Sequence, residues 1–167
     1  TITEISEGGS VPELKAINKG DLPILLLDGE ELAGAKQNRV LNTTILLKEH
    51  SETVIPVSCT EQGRWSYRSS EFADSEVIMA QKLRYKNIQS VAFNLRDSRG
   101  FRGNQGEVWD HVEKMQHDAG IHSSTSAMKD VYESRQDDLD EYLKAFPHLP
   151  NQRGILVFIN GKATGLD

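Results

Sequence analysis

Cysteine is almost absent from this chain, because Cys59 is the only one among 167 residues. A single cysteine cannot form a disulfide within the chain, and no Cys/His spacing resembles a zinc motif. This pattern fits a reducing compartment, so we expect a cytoplasmic protein. Apolar runs such as residues 24–27 are far shorter than the roughly 20 residues of a membrane-spanning helix. The sequence therefore predicts no membrane partner.

An excess of positive charge is also lacking. The chain carries 25 acidic and 19 basic residues and a net charge of -6. Non-specific nucleic-acid binding needs a basic surface, so it is disfavoured here, although a local basic patch stays open. The apolar content of 37% is that of a globular protein. The sequence begins at Thr1 and stops just after a strand-like segment, so we expect a fragment of a longer chain.

Strand patterns precede helix patterns along the chain. Residues 24–27, 43–47 and 53–57 predict strands within a β-rich part spanning residues 1–70, and the first of them predicts a buried strand. Helices are predicted over residues 76–95, 105–119, 127–133 and 136–145, with Ser75 as the first N-cap and Gly120 after the second helix. A last strand over residues 154–159 is followed by Asn160-Gly161, a hairpin signal.

This order predicts an α+β fold rather than an alternating α/β fold. We expect a single domain over residues 1–167, with an N-terminal antiparallel β-sandwich-like sheet and a helical part over residues 75–147. The segment 153–167 is expected to return as a strand that pairs with the N-terminal sheet. The helices would then lie on one side of that sheet.

The densest polar segment spans residues 28–39. Its carboxylates suit general acid–base chemistry, and its cations suit phosphate or carboxylate binding. Three small residues beside them permit close approach of a ligand to the backbone. The alternative is a polar turn followed by a solvated strand. The candidates in this segment are Asp28, Glu30, Glu31, Lys36, Gln37, Asn38 and Arg39.

A second cluster follows Cys59. Arg64 beside Trp65 can stack on a flat ligand or clamp an anion, and Glu61 lies close in sequence. The alternative is that Trp65 belongs to the core, with Arg64 outside it. A nucleophilic Cys59 needs a neighbouring base, and none is evident, so we expect a buried, inert thiol.

A third cluster combines a glycine- and arginine-rich loop over residues 96–104 with the start of the next helix. Arg99 and Arg102 give local positive charge, and Glu107 and Trp109 follow them. The spacing does not match a Rossmann or Walker phosphate loop, so a surface loop with solvated arginines is the alternative. The five histidines lack the glutamate spacing of a zinc helix, so no metal site is predicted, and the sequence leaves any cofactor open.

Four segments carry a family resemblance: residues 25–39, residues 55–65, residues 105–109 and residues 130–133. Together they resemble the ARG- and rhodanese/phosphatase-superfamily-associated protein domain, a domain family of unknown function. The resemblance covers residues 11–167, and members usually continue past residue 167. It favours residues 28–39 as one wall of a composite site, completed by residues 63–65 and the arginine loop, rather than a polar turn.

The family name implies genomic association with ADP-ribosylglycohydrolases and phosphatase-like proteins. We therefore expect a domain that binds a nucleotide-derived anion such as ADP-ribose or an NAD-related metabolite. The arginines would bind phosphates, Trp65 or Trp109 would stack on a base, and Glu30, Glu31 and Asn38 would bind ribose hydroxyls. Two alternatives stay open. One is a hydrolase with Glu30 or Glu31 as the base, and the other is a protein-interaction module or homo-oligomer.

Overall fold

The computed structural model describes residues 1–166, and the chain divides into two compact units. The first unit comprises Thr1–Ser134 and the second comprises Arg135–Asp167. Helices and strands are both present, which confirms the predicted α+β class. No helix within residues 1–166 is both long and apolar enough to cross a membrane.

A closed antiparallel barrel of six strands forms the centre of the first unit. With strands numbered along the chain, the barrel contains β1 (Ile2–Glu4), β2 (Glu13–Asn18), β4 (Glu30–Gly34), β5 (Arg39–Leu41), β7 (Ser51–Cys59) and β8 (Phe72–Ile78). Their order around the barrel is β1-β2-β7-β5-β4-β8, and a pair between Ile2 and Phe72 closes the ring. The predicted sandwich-like sheet is therefore a barrel, because closure pairs the two strands that would otherwise be open edges.

Alternate residues of the barrel strands fill the lumen. Leu14 and Ala16 on β2 point inward, as do Ile55 and Val57 on β7, and all four are buried in one apolar cluster. This period of two is the ordinary consequence of the strand pleat. The lumen is thus an apolar core over most of its length.

Three helices belong to the same unit: α1 (Gln81–Arg96), α2 (Gln105–Ala119) and α3 (Met128–Glu133). Their inward residues, including Leu83 and Val112, pack with the outward-facing Val40 of β5 in a second apolar cluster. Asn104 caps α2 by accepting a hydrogen bond from the Glu107 N–H, and Gly120 ends it in the left-handed conformation. The predicted bounds of α2 and the role of Gly120 are confirmed.

The predicted start of the first helix is wrong. Ser75 and Glu76 belong to β8, which pairs with β4, and α1 begins only at Gln81. Val77 has a helix-like spacing of three residues to Ala80, but it is buried because β8 turns it toward the second apolar cluster. The sequence pattern thus merged the end of a strand with the helix that follows it.

A small separate sheet pairs β3 (Ile24–Leu26) with β6 (Ile45–Leu47). The predicted strands are present, but the burial predicted for residues 24–27 is wrong, since Ile24 and Leu25 are exposed. Among residues 1–166, each of these strands has one partner, and only part of the sheet packs against the lumen core, through Leu26, Ile45 and Leu47.

The second unit contains α4 (Gln136–Ala145) and a hairpin of β9 (Leu156–Ile159) and β10 (Lys162–Leu166). Asn160 and Gly161 form its turn with φ of 51° and 76°, which confirms the hairpin signal. The prediction that the last strand returns to the N-terminal sheet is wrong. β9 pairs with β10, because the two-residue turn brings adjacent strands together locally.

The loop after α1 is anchored to the barrel by buried polar side chains. Asn42 donates to the Phe101 carbonyl and accepts from Ser58 and Asn87. Gly103 lies directly against this group, and a Cβ there would collide with the Asn87 side-chain oxygen and come within 2.8 Å of Ser58 Oγ. The loop therefore approaches the barrel as closely as it does only because residue 103 has no side chain.

We expect Gly103→Ala to lower the free energy of unfolding by about 1–3 kcal/mol, because the added methyl group displaces buried hydrogen-bonded groups. Urea denaturation measures this change. Gly106→Ala is the matched control, since a Cβ there meets its nearest neighbour at an ordinary 3.5 Å. Equal stability of the two variants would contradict the assigned contact.

Candidate functional site

Polar residues occupy one end of the barrel lumen. Arg39 lies directly opposite Cys59, and Glu4 directly opposite the inward-facing Leu14. Opposed residues of an antiparallel pair share a face, and Cys59 follows Ile55 and Val57 at a spacing of two, so Arg39, Cys59 and Glu4 point inward. Loops over residues 5–12, 35–38 and 60–71 connect the strands at this end. We call this region the polar end.

An ion pair between Glu61 and Arg64 holds these loops together. Arg64 Nη2 lies 2.6 Å from Glu61 Oε2, and Nε donates to Oε1 at 2.9 Å. The remaining donors bind the carbonyls of Gly34, Ala35 and Ser66. Every guanidinium nitrogen of Arg64 thus has a protein partner, so this arginine stabilises the loops and has no free edge for a ligand.

Glu61 is the acceptor at the centre of this arrangement. Its side chain is fully buried and also accepts from the Asn38 N–H at 3.0 Å and the Thr125 hydroxyl at 2.8 Å. Burial by itself raises the pKa of the Glu61 carboxyl, but the hydrogen bonds from Arg64, Asn38 and Thr125 outweigh it and lower the pKa. Glu61 is therefore held as a carboxylate that positions the loops.

Arg39 differs from Arg64 in its hydrogen bonding. Its side chain has 0% exposure, and Nη1 donates to Gln37 Oε1 at 3.1 Å and to the Asn38 carbonyl at 3.3 Å. Within residues 1–166, Nε and Nη2 have no hydrogen-bond partner. These two nitrogens form the edge of a guanidinium that binds both oxygens of a carboxylate or phosphate. We call this edge the Arg39 fork.

Trp65 and Lys36 cover the Arg39 guanidinium. The Trp65 ring centroid lies 5.7 Å from Arg39 Cζ, and Lys36 Nζ lies 5.2 Å from the same centroid. Lys36 also donates to the Gly8 carbonyl, and Trp65 is 49% exposed. A half-exposed indole beside two cations combines a stacking surface with positive charge.

The Cys59 thiol lies in the same lumen. It contacts Gln37 Oε1 at 3.3 Å and accepts from the Glu61 N–H at 3.4 Å. Burial raises the pKa of the thiol, against the opposing effect of the nearby Arg39 charge. The Cys59 backbone is bound by the Gln105 side-chain amide through both its N–H and its carbonyl, which fixes the start of α2 against β7.

The other residues of the 28–39 segment lie at the opposite end of β4. Asp28 forms an ion pair with Arg84 of α1 at 2.7 Å, and Glu30 accepts from the Leu27 N–H. Hydrogen bonds from Arg84 lower the pKa of the Asp28 carboxyl despite partial burial. The structure therefore brings Lys36, Gln37, Asn38 and Arg39 to the polar end, and places Asp28 and Glu30 away from it.

Glu31 points outward from the barrel, toward α3. Its fully buried carboxylate accepts from the Thr60 hydroxyl at 2.5 Å and the Ser75 hydroxyl at 3.2 Å. Burial raises the pKa of Glu31 to about 7. A pKa near neutrality suits a general base, but the carboxylate lies on the other face of β4 from the inward-facing Leu32 and is closed to solvent.

The residues of the third predicted cluster lie in different surroundings. Arg99 pairs with the nearby Asp97 at 3.2 Å, and Arg102 and Glu107 are exposed. Trp109 lies beside the Cys59 thiol on one side and lines a groove of about 320 Å³ with Gln116 and His122 on the other. The arginine loop itself contacts Asn42 and Asn94 through the carbonyls of Phe101 and Arg102. Its joining with Arg39 and Trp65 in one composite site stays a prediction.

Glu4 is the residue of the polar end that sequence reasoning missed. The side chain of Ile2 packs against the lumen core. Because strand residues alternate between faces, Glu4, two residues later, also points inward, and this spacing is the signal in the sequence. A three-residue strand is too short for this alternation to stand out. Among residues 1–166, no group of three or more His, Cys, Asp or Glu side chains is arranged to hold a metal ion.

Fold and site together define a small closed β-barrel with helices on its outer face and a charged, aromatic-covered lumen end. The chain belongs to the ARG and Rhodanese-Phosphatase-superfamily-associated Protein domain family, whose model matches residues 1–167. The family resemblance seen in the sequence is confirmed. Neither a curated protein nor a solved structure matches the chain.

The raised pKa of Glu31 makes the stability of the fold depend on pH. A carboxyl whose folded pKa lies above its unfolded value contributes stability at low pH, and that contribution is lost as the pH rises through about 7. We expect Glu31→Gln, which cannot ionise, to match the wild type near pH 5. Near pH 9 the variant should be more stable by on the order of 3 kcal/mol.

Urea denaturation of both proteins across this pH range measures the difference. Glu30→Gln is the control, because Glu30 lies beside Glu31 in β4 but is only partly buried. A Glu31→Gln variant that loses stability equally at pH 5 and pH 9 would contradict the argument.

Proposed function

We propose that this domain binds the anionic group of a nucleotide-derived metabolite, such as ADP-ribose or an NAD-related compound, at the Arg39 fork. The observation that carries the proposal is the fully buried Arg39 side chain, whose Nε and Nη2 have no partner within residues 1–166. A buried donor without an acceptor costs free energy, and a ligand carboxylate or phosphate would remove that cost.

The surroundings of the Arg39 fork favour an anion over a neutral ligand. Glu61 and Arg64 form an ion pair at 2.6 Å, so their charges balance. Arg39 in the lumen and Lys36 above the Trp65 ring are then opposed by the carboxylate of Glu4. Gln37 and the Asn38 carbonyl already orient the guanidinium through Nη1. A preoriented cation with low solvent exposure binds an anion more strongly than a solvated one does.

Trp65 supports an aromatic group on the same ligand. Its ring is half-exposed and packs over Arg39, so a nucleobase could stack on its free face while the phosphate reaches the fork. Since Arg39 is closed to solvent, Trp65 and Lys36 have to shift for the anion to enter. The choice of ADP-ribose and NAD-related compounds rests on the association stated in the family name.

We expect ADP-ribose or a related nucleotide to raise the stability of the wild type by roughly 2.7 kcal/mol when it is added at 100 times its Kd. Arg39→Lys keeps the charge but removes the fork, so the Kd should rise by about 10- to 100-fold. Calorimetric titration and thermal shift measure these changes.

Arg102→Lys is the matched control, because Arg102 is an exposed arginine away from the polar end and its loss should leave the Kd unchanged. Denaturation of the ligand-free variants separates a binding defect from a folding defect. The proposal fails if no nucleotide, ADP-ribose or NAD-related compound stabilises the wild type, or if Arg102→Lys weakens binding more than Arg39→Lys does.

A second candidate function is self-association through the second unit. Every residue of β9 is exposed, and Phe158 is 60% exposed. Within residues 1–166, β9 and β10 each have one strand partner, so each offers an unpaired edge. Exposed apolar strands with open edges pair readily with another strand, and a second copy of this chain offers an identical one.

We expect the wild type to form a dimer that Phe158→Ser shifts toward the monomer, because the substitution removes apolar area from the exposed strand. Size-exclusion chromatography with light scattering measures the mass. Tyr85→Ser is the control, since Tyr85 is similarly exposed but lies on α1. A wild-type monomer at high concentration would rule this candidate out.

A further inference from the structure

Glu4 and Arg39 face each other across the barrel lumen. In the ring order β1-β2-β7-β5-β4-β8, three steps separate β1 from β5 in either direction, so the two strands are diametrically opposed. Both side chains point inward at the polar end, and Glu4 is 7% exposed. No nitrogen of Arg39 lies within 4.0 Å of a Glu4 carboxylate oxygen in the described part of the chain, so the two do not form an ion pair.

The Glu4 carboxylate is fixed by one oxygen and free at the other. Oε1 accepts from the Lys36 N–H at 3.3 Å, whereas Oε2 is buried without a hydrogen-bond donor among residues 1–166. A Cβ built on Gly9 would lie 3.3 Å from Oε2 and 3.4 Å from Trp65 Cζ2. The free oxygen and the indole ring that covers Arg39 therefore both border Gly9.

The two free groups are complementary in kind. The Arg39 fork can only donate hydrogen bonds, and an ionised Glu4 Oε2 can only accept them. An acid without a hydroxyl hydrogen, such as sulfate, would satisfy the fork, but it would bring negative charge toward a carboxylate oxygen that has no donor. A ligand that carries a hydroxyl group beside its acidic group would satisfy both sides of the lumen at once.

We propose that Glu4 is a specificity-determining residue that accepts a hydrogen bond from a ligand hydroxyl, and that the site takes phosphorylated polyols of the ribose phosphate type. This inference rests on the proposed binding of an anion at Arg39 and names the chemical class of its ligand. In a nucleotide-derived metabolite, the hydroxyls of the ribose adjoining the phosphate supply the required donor. Glu4 thus takes the role that the sequence assigned to Glu30, Glu31 and Asn38.

Two probes separate the acid from the hydroxyl. Ribose 5-phosphate carries both groups, whereas ethyl phosphate carries the same phosphate monoester without a hydroxyl. We expect the wild type to bind ribose 5-phosphate at least about 10-fold more tightly than ethyl phosphate, because a hydrogen bond to a charged acceptor contributes about 1.5–3 kcal/mol. Calorimetric titration of the whole chain measures both dissociation constants.

Glu4→Gln should weaken the binding of ribose 5-phosphate without weakening the binding of ethyl phosphate. The Kd for ribose 5-phosphate should rise because the charged acceptor is lost, and the Kd for ethyl phosphate should fall or stay constant because a repulsive charge is removed. The preference should shrink to about 3-fold or less. Glu7→Gln is the matched control, since it removes the same charge from an exposed position three residues away and should keep the wild-type preference.

The outcomes distinguish this inference from the proposed function. If the wild type binds both probes equally, or if Glu4→Gln weakens both by the same factor, Glu4 does not recognise a hydroxyl and only this inference fails. If Arg39→Lys leaves both affinities unchanged, or if neither probe nor any nucleotide binds, the proposed anion site itself fails. Urea denaturation of Glu4→Gln confirms that a change in affinity comes from a folded protein.

Discussion

The buried ion pair between Glu61 and Arg64 is the interaction on which the polar end of the barrel depends. Two charges enclosed by protein are tolerated only when their remaining hydrogen-bonding atoms also have partners. Arg64 meets that condition with the carbonyls of Gly34, Ala35 and Ser66, and Glu61 meets it with the Asn38 N–H and the Thr125 hydroxyl. The loops before β5 and after β7 are thereby fixed to each other, and the strand starting at Arg39 receives a defined position.

Arg39 and Glu4 lie in the lumen at the same end of the barrel as this ion pair, but their hydrogen bonding differs from that of the pair. Arg64 and Glu61 satisfy one another, whereas the free edges of Arg39 and Glu4 lie across the lumen without a partner among the described residues. These unsatisfied buried groups are the observation on which the proposed anion site rests. Trp65 packs over Arg39, so the proposed ligand would enter only if the indole ring moves.

Sequence reasoning located half of this site. The segment 28–39 and the pair Arg64–Trp65 were recognised, because charged and aromatic residues crowded among small ones are unusual in a strand-rich chain. The prediction failed to separate Arg64 from Arg39, since both are arginines beside polar residues and only their partners distinguish them. It also grouped Arg102 with them, although Arg102 lies on a loop whose backbone carbonyls accept hydrogen bonds from Asn42, just after β5, and from Asn94 of α1.

The sequence by itself determined the α+β class, the bounds of α2, the hairpin turn at Asn160-Gly161 and the family. These follow from local signals, namely periodicity, capping residues and turn residues, that act over a few positions. Only the tertiary structure decided that the sheet closes into a barrel and that Glu4 faces Arg39. Those features depend on pairing between strands far apart in the chain. Residues 4 and 39 face each other only because closure of the barrel places β1 and β5 on opposite sides of one lumen.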